Sequence, residues 1–259
     1  MGNTDSNSIL AGIRGIIFDY GGTIDSRGDH WSHIIRDAYS AAGAILPEEA
    51  FREAYVYGER YLATNPVVKP TDNFHALMIA KMRAELSWLV DNKILSAEAL
   101  DDLPEKLAGY CYDAALNAVG EARHVLEALS ERYPMVLVSN FYGNIASVLA
   151  DFRLDRYFRS VIESAVVGVR KPDPQIFRLG VEALAEFTSG APLAPEQVLV
   201  VGDSLSKDIL PAESIGCRTA WIKGRGWTAA EDAAEHPSRI SSLESLLIDL
   251  HSVNPNTSR

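Results

Sequence analysis

The sequence predicts an α/β fold, a mostly parallel sheet covered by helices, with an all-helical segment inserted after the first strand. Two observations carry this prediction. Short apolar, β-branched runs, each ending in polar residues, alternate with helical patterns through the second half of the chain, as expected of βαβ units joined by right-handed crossovers. Between about residues 27 and 116 that alternation stops, and the chain is helical with no strand signal.

The strand candidates, in order, are "GIIFDY" (15 to 20), "MVLVSN" (135 to 140), a weaker "SVIESA" (160 to 165), "QVLVVGDS" (197 to 204) and "RTAWIK" (218 to 223). Near-continuous apolar runs of this length suit strands buried on both faces. Helical patterns lie between them: "GEARHVLEALSERY" before the second run, "NIASVLADFRL" after it and "PQIFRLGVEALAEF" before "QVLVVGDS". Polar residues at the strand ends then converge on one edge of the sheet, where open α/β folds bind ligands.

The insertion reads as "WSHIIRDAYSAAG", "PEEAFREAYVYGERYLA", "TDNFHALMIAKMRAELSWLV" and "SAEALDDLPEKLAGYCYDAALNAV", divided by prolines at 66 and 70 and lacking any fixed repeat. The expected organisation is a core of residues 1–26 and 117–259 with a helical cap over 27–116. Such a cap acts as a lid that excludes water and shapes a pocket.

Composition narrows the function. The 259 residues are 47% apolar and 23% charged, a balance that supports a sizeable core. A formal net charge of −11 argues against a surface that neutralises many phosphates, so no nucleic acid is expected as partner, while one small phosphorylated molecule is allowed. Cys111 and Cys217 lie far apart and have no metal or redox spacing. No run nears the ~18 apolar residues a membrane span needs and no secretory pattern opens the chain, so a cytoplasmic monomer or homodimer is expected. The opening "MGNTDS" fits the permissive N-myristoylation pattern but lacks a polybasic second signal, and reads as a chance match.

The strand-end groups fit a common chemistry. Asp19 closes the first run, and Gly21 and Gly22 permit a tight turn with close backbone approach to a ligand. Ser139 and Asn140 end the second, Lys171 in "GVRKPDPQIF" offers a cation, and Asp203 with Asp208 brings two more carboxylates. Such hard oxygen ligands suit Mg²⁺ better than zinc. A carboxylate nucleophile facing a phosphate dianion is repelled unless positive charge intervenes, which Mg²⁺ and Lys171 supply. Taken singly, Ser139 and Asn140 could equally satisfy a strand-to-helix turn, and Asp208 could be a helix cap.

Together, "FDYGGTID", "LVSN", "RKPDPQIF" and "VVGDSLSKDI", in this order, resemble the motifs of the haloacid dehalogenase (HAD) superfamily, and the insertion resembles its C1 cap. The resemblance implies a Rossmann-like core and a Mg²⁺-dependent hydrolase, a phosphatase of a small phosphorylated metabolite, working through an aspartyl intermediate at Asp19. It implies that Asp19, the Gly21 backbone carbonyl and Asp203 hold Mg²⁺ with help from Asp208, and that Lys171 neutralises nucleophile and phosphate. Ser139 would grip the phosphoryl group with Asn140 nearby, Gly22 would belong to the phosphate loop, and Thr23 would fix that loop.

One departure stands out. HAD phosphatases carry an Asp two residues after the nucleophile to protonate the leaving group and activate water, and here Gly21 occupies that place. Loss of a general acid/base costs ~10²- to 10⁴-fold, so alkoxide leaving groups suffer more than acyl or aryl ones. Haloacid dehalogenases proper also lack that Asp, but Asp203 disfavours their metal-free chemistry. Phosphonoacetaldehyde hydrolases have a small residue there and use a cap lysine, which leaves a phosphonatase-like enzyme as one alternative. A phosphometabolite binder that has lost turnover is another.

Two groups could stand in for the lost function. On "FHALMIAKMRAELSWLV", Lys81 and Glu85 share the apolar stripe. They are expected to pair with each other and snorkel to the cap rim, the sharper alternative being that one of them contacts substrate. His30 and His33, just past the motif loop, titrate near neutral pH and could replace the acid.

Overall fold

The structure, a computed structural model, describes residues 8–252, and the "MGNTDS" segment lies outside them. Its sheet contains β1 (Gly15–Phe18), β2 (Met135–Ser139), β3 (Ser160–Glu163), β4 (Val198–Gly202), β5 (Arg218–Ile222) and β6 (Arg239–Ile240). These six strands lie in the order β3-β2-β1-β4-β5-β6, and every pairing is parallel. Five of them are the apolar runs of the sequence. The sixth, only two residues long, is too short for a periodicity to announce it.

The runs are apolar throughout because both faces are covered. On one face Ile16, Phe18, Met135, Leu137, Leu199 and Val201 join the larger core, while Ile17, Val136, Val138, Val198 and Val200 face a second core. Helix α6 (Gln175–Ala185) closes that second core with Ile176, Phe177 and Leu184. Gly180 lets it lie flat: a Cβ there would stand 2.8 Å from Ile17 Cδ1 and 2.9 Å from Val138 Cγ2.

The region between β1 and β2 is helical, as expected: α1 (Trp31–Ala41), α2 (Glu48–Thr64), α3 (Phe74–Asp91) and α4 (Ala99–Ser130). Two helical patterns that the sequence separates, ending at 119 and starting at 120, are one 32-residue helix, so the expected division at 116/117 falls inside α4. Gly120 does not interrupt it and borders open space. Val125, Leu126 and Leu129 at its end are fully buried in the larger core. The segment between α2 and α3 is also tied down at α5 (Ile145–Asp151), where the Asn144 amide donates to the Asp72 carbonyl at 2.9 Å and the Ser147 hydroxyl to the Pro70 carbonyl at 2.6 Å. No helix among the described residues is long and apolar enough to cross a membrane.

The strand order reverses at β1, with β2 on one side and β4 on the other. The carboxyl ends of β1 and β4 therefore lie side by side at the switch point, the usual ligand crevice of such sheets.

Gly180→Ala tests the packing of α6. Overpacking costs ~1–3 kcal/mol, offset by up to ~1 kcal/mol of helix propensity. The urea midpoint should fall by an amount worth about 1 kcal/mol at constant m, and a gain in stability would contradict the close approach.

Candidate active site

Asp19 follows β1, and its backbone N–H donates to the Val201 carbonyl of β4 at 2.9 Å. Its Oδ1 accepts from Lys171 Nζ at 2.6 Å, and the same ammonium donates to Asp208 Oδ1 at 2.6 Å. Burial alone would depress the Lys171 pKa, but Asp19 and Asp208 outweigh it and hold it above the usual lysine value. Asp203, just past β4, completes a group of three carboxylates with ligand oxygens within 4.8 Å of one another.

Backbone and hydroxyl braces fix this arrangement. The buried Thr23 hydroxyl lies 3.0 Å from Asp203 Oδ1 and 3.4 Å from Asp19 Oδ2. The Ser204 N–H donates to Asp208 Oδ2 at 3.0 Å, and the Trp221 indole donates to the Asp203 carbonyl at 2.7 Å. Gly22 (φ +96°) passes so close to Asp203 that a Cβ would meet its carboxylate at 2.3 Å. Only glycine satisfies both that φ and that approach.

Three carboxylates, Asp19 and Asp208 buried and Asp203 half-buried, face one ammonium, so the group carries excess negative charge. Burial, then Asp208 and Asp19, pushes the Asp203 carboxyl well above its ordinary pKa. A hard divalent cation would relieve that excess, and an all-oxygen donor set fits Mg²⁺.

The other expected residues gather at the same edge. Ser139 is buried at the end of β2 and lines the cavity, and its hydroxyl makes no hydrogen bond to another described residue. Asn140 also lines it, but both ends of its carboxamide hold the Lys171 backbone, Oδ1 accepting from the N–H at 2.9 Å and Nδ2 donating to the carbonyl at 3.1 Å. Gly21 lines the cavity, its φ lies outside the left-handed region, and a Cβ there would meet nothing within 4 Å.

The cavity above these groups is about 850 Å³. Its far side comes from the helices between β1 and β2, where Lys81 and Glu85 are both buried, which corrects the expectation that they snorkel to the rim. They also take other partners. Lys81 Nζ pairs with Glu59 of α2 and lies 4.3 Å from the Tyr55 ring centroid, while Glu59 Oε2 accepts from the Tyr142 hydroxyl at 2.8 Å. Glu85 Oε2 takes the Tyr39 hydroxyl at 3.4 Å, and Oε1 has no partner. Burial pushes the Lys81 ammonium down and the Glu85 carboxyl up, each opposing the other's shift. Of the two, Lys81 lines the cavity.

His30 lines the cavity too, as the N-cap of α1. Its Nδ1 accepts from the Ser32 backbone N–H at 3.3 Å, so the neutral ring carries its hydrogen on Nε2. Burial, then the charges of Lys207 and Lys81, pushes its pKa down to about 3. An imidazole that stays neutral cannot serve as the expected acid near pH 7. His33 is spent on the Gly226 carbonyl at 2.8 Å.

Asp25 is a cavity residue the sequence reading passed over. Its Oδ1 accepts the Gly22 N–H at 2.8 Å and the Trp31 indole N–H at 3.0 Å, and burial pushes its pKa up to about 7. An Asp six residues past Asp19, next to a turn of two glycines, was the available signal.

The fold and this strand-end carboxylate group define an α/β protein of hydrolase type. A family model, "haloacid dehalogenase-like hydrolase", matches residues 13–216, and the chain belongs to that family. A phosphoserine phosphatase of Thermus thermophilus is 34% identical over 95 residues, 37% of this chain and 35% of the relative. Phosphoglycolate phosphatase 1 of Pseudomonas aeruginosa is 33% identical over 140 residues, 47% of this chain and 48% of the relative. The chain thus spans half or less of these relatives. Among solved structures, the HAD-hydrolase YfnB from Bacillus subtilis aligns with TM-score 0.56 at 18% identity, covering 92% of this chain and 99% of that one.

The Asp25 environment has a measurable consequence. The fold raises this carboxyl from 3.8 to about 7, so it favours the protonated form. The resulting stability is full below about pH 4 and is lost as pH rises towards 7. Asp25→Asn cannot titrate and should remove up to ~1.4 kcal/mol per pH unit of that decline. Urea melts at pH 4.5 and 7.5 measure it; an unchanged decline would refute the assignment.

Proposed function

We propose that the protein is a Mg²⁺-dependent phosphatase of a small phosphorylated molecule, acting through an aspartyl-phosphate at Asp19 with a weakened acid/base step. The observation carrying this reading is the Lys171 ammonium set between Asp19 and Asp208, with Asp203 in reach. Phosphatase-named relatives support it. Residues 27–116 would act as the cap.

An Asp19 oxygen would attack phosphorus while the ester P–O bond breaks and its electron pair leaves with the substrate oxygen. Water would then attack the aspartyl phosphate, breaking the P–O bond to Asp19 and restoring the carboxylate, its proton passing to the departed oxyanion or to solvent. Lys171 would hold the nucleophile in place and screen it from the phosphate dianion, and Ser139 would donate to a phosphoryl oxygen. Mg²⁺, held by Asp19, the Gly21 carbonyl and Asp203 with Asp208 assisting, would supply the remaining positive charge.

A second reading, phosphonatase-like, is favoured by one observation: Lys81 faces the cavity with a depressed pKa. Its pairing with Glu59 weighs against a free amine nucleophile.

Turnover of p-nitrophenyl phosphate, acetyl phosphate, a sugar phosphate and phosphonoacetaldehyde tests both. Mg²⁺-dependent release of phosphate from the first two is expected, abolished in Asp19→Asn. Because position 21 has room for a side chain, Gly21→Asp should raise the sugar-phosphate rate by ~10²-fold or more. Cleavage of the phosphonate alone would favour the second reading, and no turnover at all would favour a phosphometabolite binder.

A further inference from the structure

We infer that the site is built to release a phenolic oxygen, and that its substrate is an aryl phosphate monoester whose ring lies against the aromatic wall of the cavity. This substrate class presupposes the aspartyl-phosphate chemistry at Asp19.

Proton supply is the first consideration. The leaving oxygen meets no side chain at position 21, and four of the titratable groups that line the cavity already have partners. Asp25 is held through Oδ1 by the Gly22 and Trp31 N–H groups, His30 caps α1 through Nδ1, Lys81 pairs with Glu59, and Lys171 bridges two carboxylates. A leaving group that departs unprotonated must be a stable anion: a carboxylate, an enolate or a phenolate. Alkoxides of sugars or nucleosides are not, and without an acid they lose ~10²- to 10⁴-fold.

The second consideration selects among the stable anions. Tyr55, His30 and Trp227 line the cavity as one cluster, with ring centroids 5.1 Å apart for Tyr55–Trp227 and His30–Trp227 and 5.5 Å for His30–Tyr55. Trp31 and Phe74, 5.4 Å apart, extend the wall, and Arg52 lies 3.8 Å over the Trp227 ring and stiffens it. An acetyl group cannot use such a surface, and a cavity of about 850 Å³ far exceeds its size. A planar ring can, stacking against these rings and burying its apolar faces. His30 is neutral and its Nε2 makes no hydrogen bond to another described residue, so the wall includes an uncharged donor for an oxygen near the ring.

The test is a leaving-group series with Mg²⁺: phenyl phosphates from nitro-substituted to unsubstituted, acetyl phosphate, and a sugar phosphate. Three results are expected. Phenyl phosphate should exceed the sugar phosphate in kcat/KM by ~10²-fold or more. Efficiency should fall steeply as the phenol becomes less acidic, and KM for phenyl phosphate should lie about tenfold below that for acetyl phosphate. Trp227→Leu should raise the aryl KM several-fold more than the acetyl KM.

Comparable efficiency on the sugar phosphate would overturn the aryl class, as would a lower KM for acetyl phosphate, while leaving the phosphatase reading intact. A shallow leaving-group dependence that turns steep in Asp25→Asn would also overturn it, by placing the missing acid at Asp25. Absence of Asp19-dependent turnover of any member would remove the phosphatase reading and the aryl class together.

Discussion

The site depends on one buried ion triad, the Lys171 ammonium held at 2.6 Å from both Asp19 and Asp208. An ammonium this deeply buried is costly unless its hydrogen bonds are all to opposite charge. The sheet makes that possible by pairing Phe18 with Val201, so that Asp19 and Asp203 emerge from adjacent strands. Lys171 arrives from the loop after β3 and is set by the Asn140 carboxamide gripping its backbone on both sides. The glycines follow from the same crowding: Gly202 stands where a Cβ would meet that of Asp208 at 2.4 Å.

What could be read from the sequence, and what could not, follows from the range of each interaction. The strands were legible because residues such as Ile16 and Ile17 enter different cores, leaving no polar position in the run. The strand-end carboxylates were legible because strand ends in parallel sheets share an edge. The partner of Lys81 was not, because helical periodicity gives the face of α3 and not what α2 places opposite it. Asn140 was read as a phosphate neighbour, yet its hydrogen bonds go to a residue 31 positions away, a pairing no local pattern encodes. Asp25 escaped because its partner, the Gly22 amide, is a backbone group without a sequence signature. The merging of two helical patterns into α4 escaped for a related reason, since a glycine in a helix marks a break only when the backbone turns there.

The cavity divides its labour between two surfaces. The sheet edge supplies charge, with each group fixed by a backbone or hydroxyl brace. The helices between β1 and β2 supply apolar area, and Lys81, which they place on the cavity, is already matched to Glu59 and to the Tyr55 ring. Glu59 also accepts from Tyr142, in the loop after β2, so one carboxylate links α2 and Lys81 to the sheet edge. Any tilt of α2 relative to the sheet must break that bond or carry Tyr142 along, which couples the position of the aromatic wall to the loop that contains Asn140.

That coupling bears on why the second carboxylate of the motif can be absent without the site collapsing. The space at Gly21 is open, so nothing in the packing requires a side chain there, and the three remaining carboxylates already exceed the positive charge available to them. A fourth carboxylate would add to that excess, and in a buried site the added repulsion pushes carboxyl pKa values upward. With glycine, the negative charge is confined to groups that Lys171 and a cation can reach, and the proton inventory of the cavity falls to Asp25, neutral His30 and the Lys81–Glu59 pair.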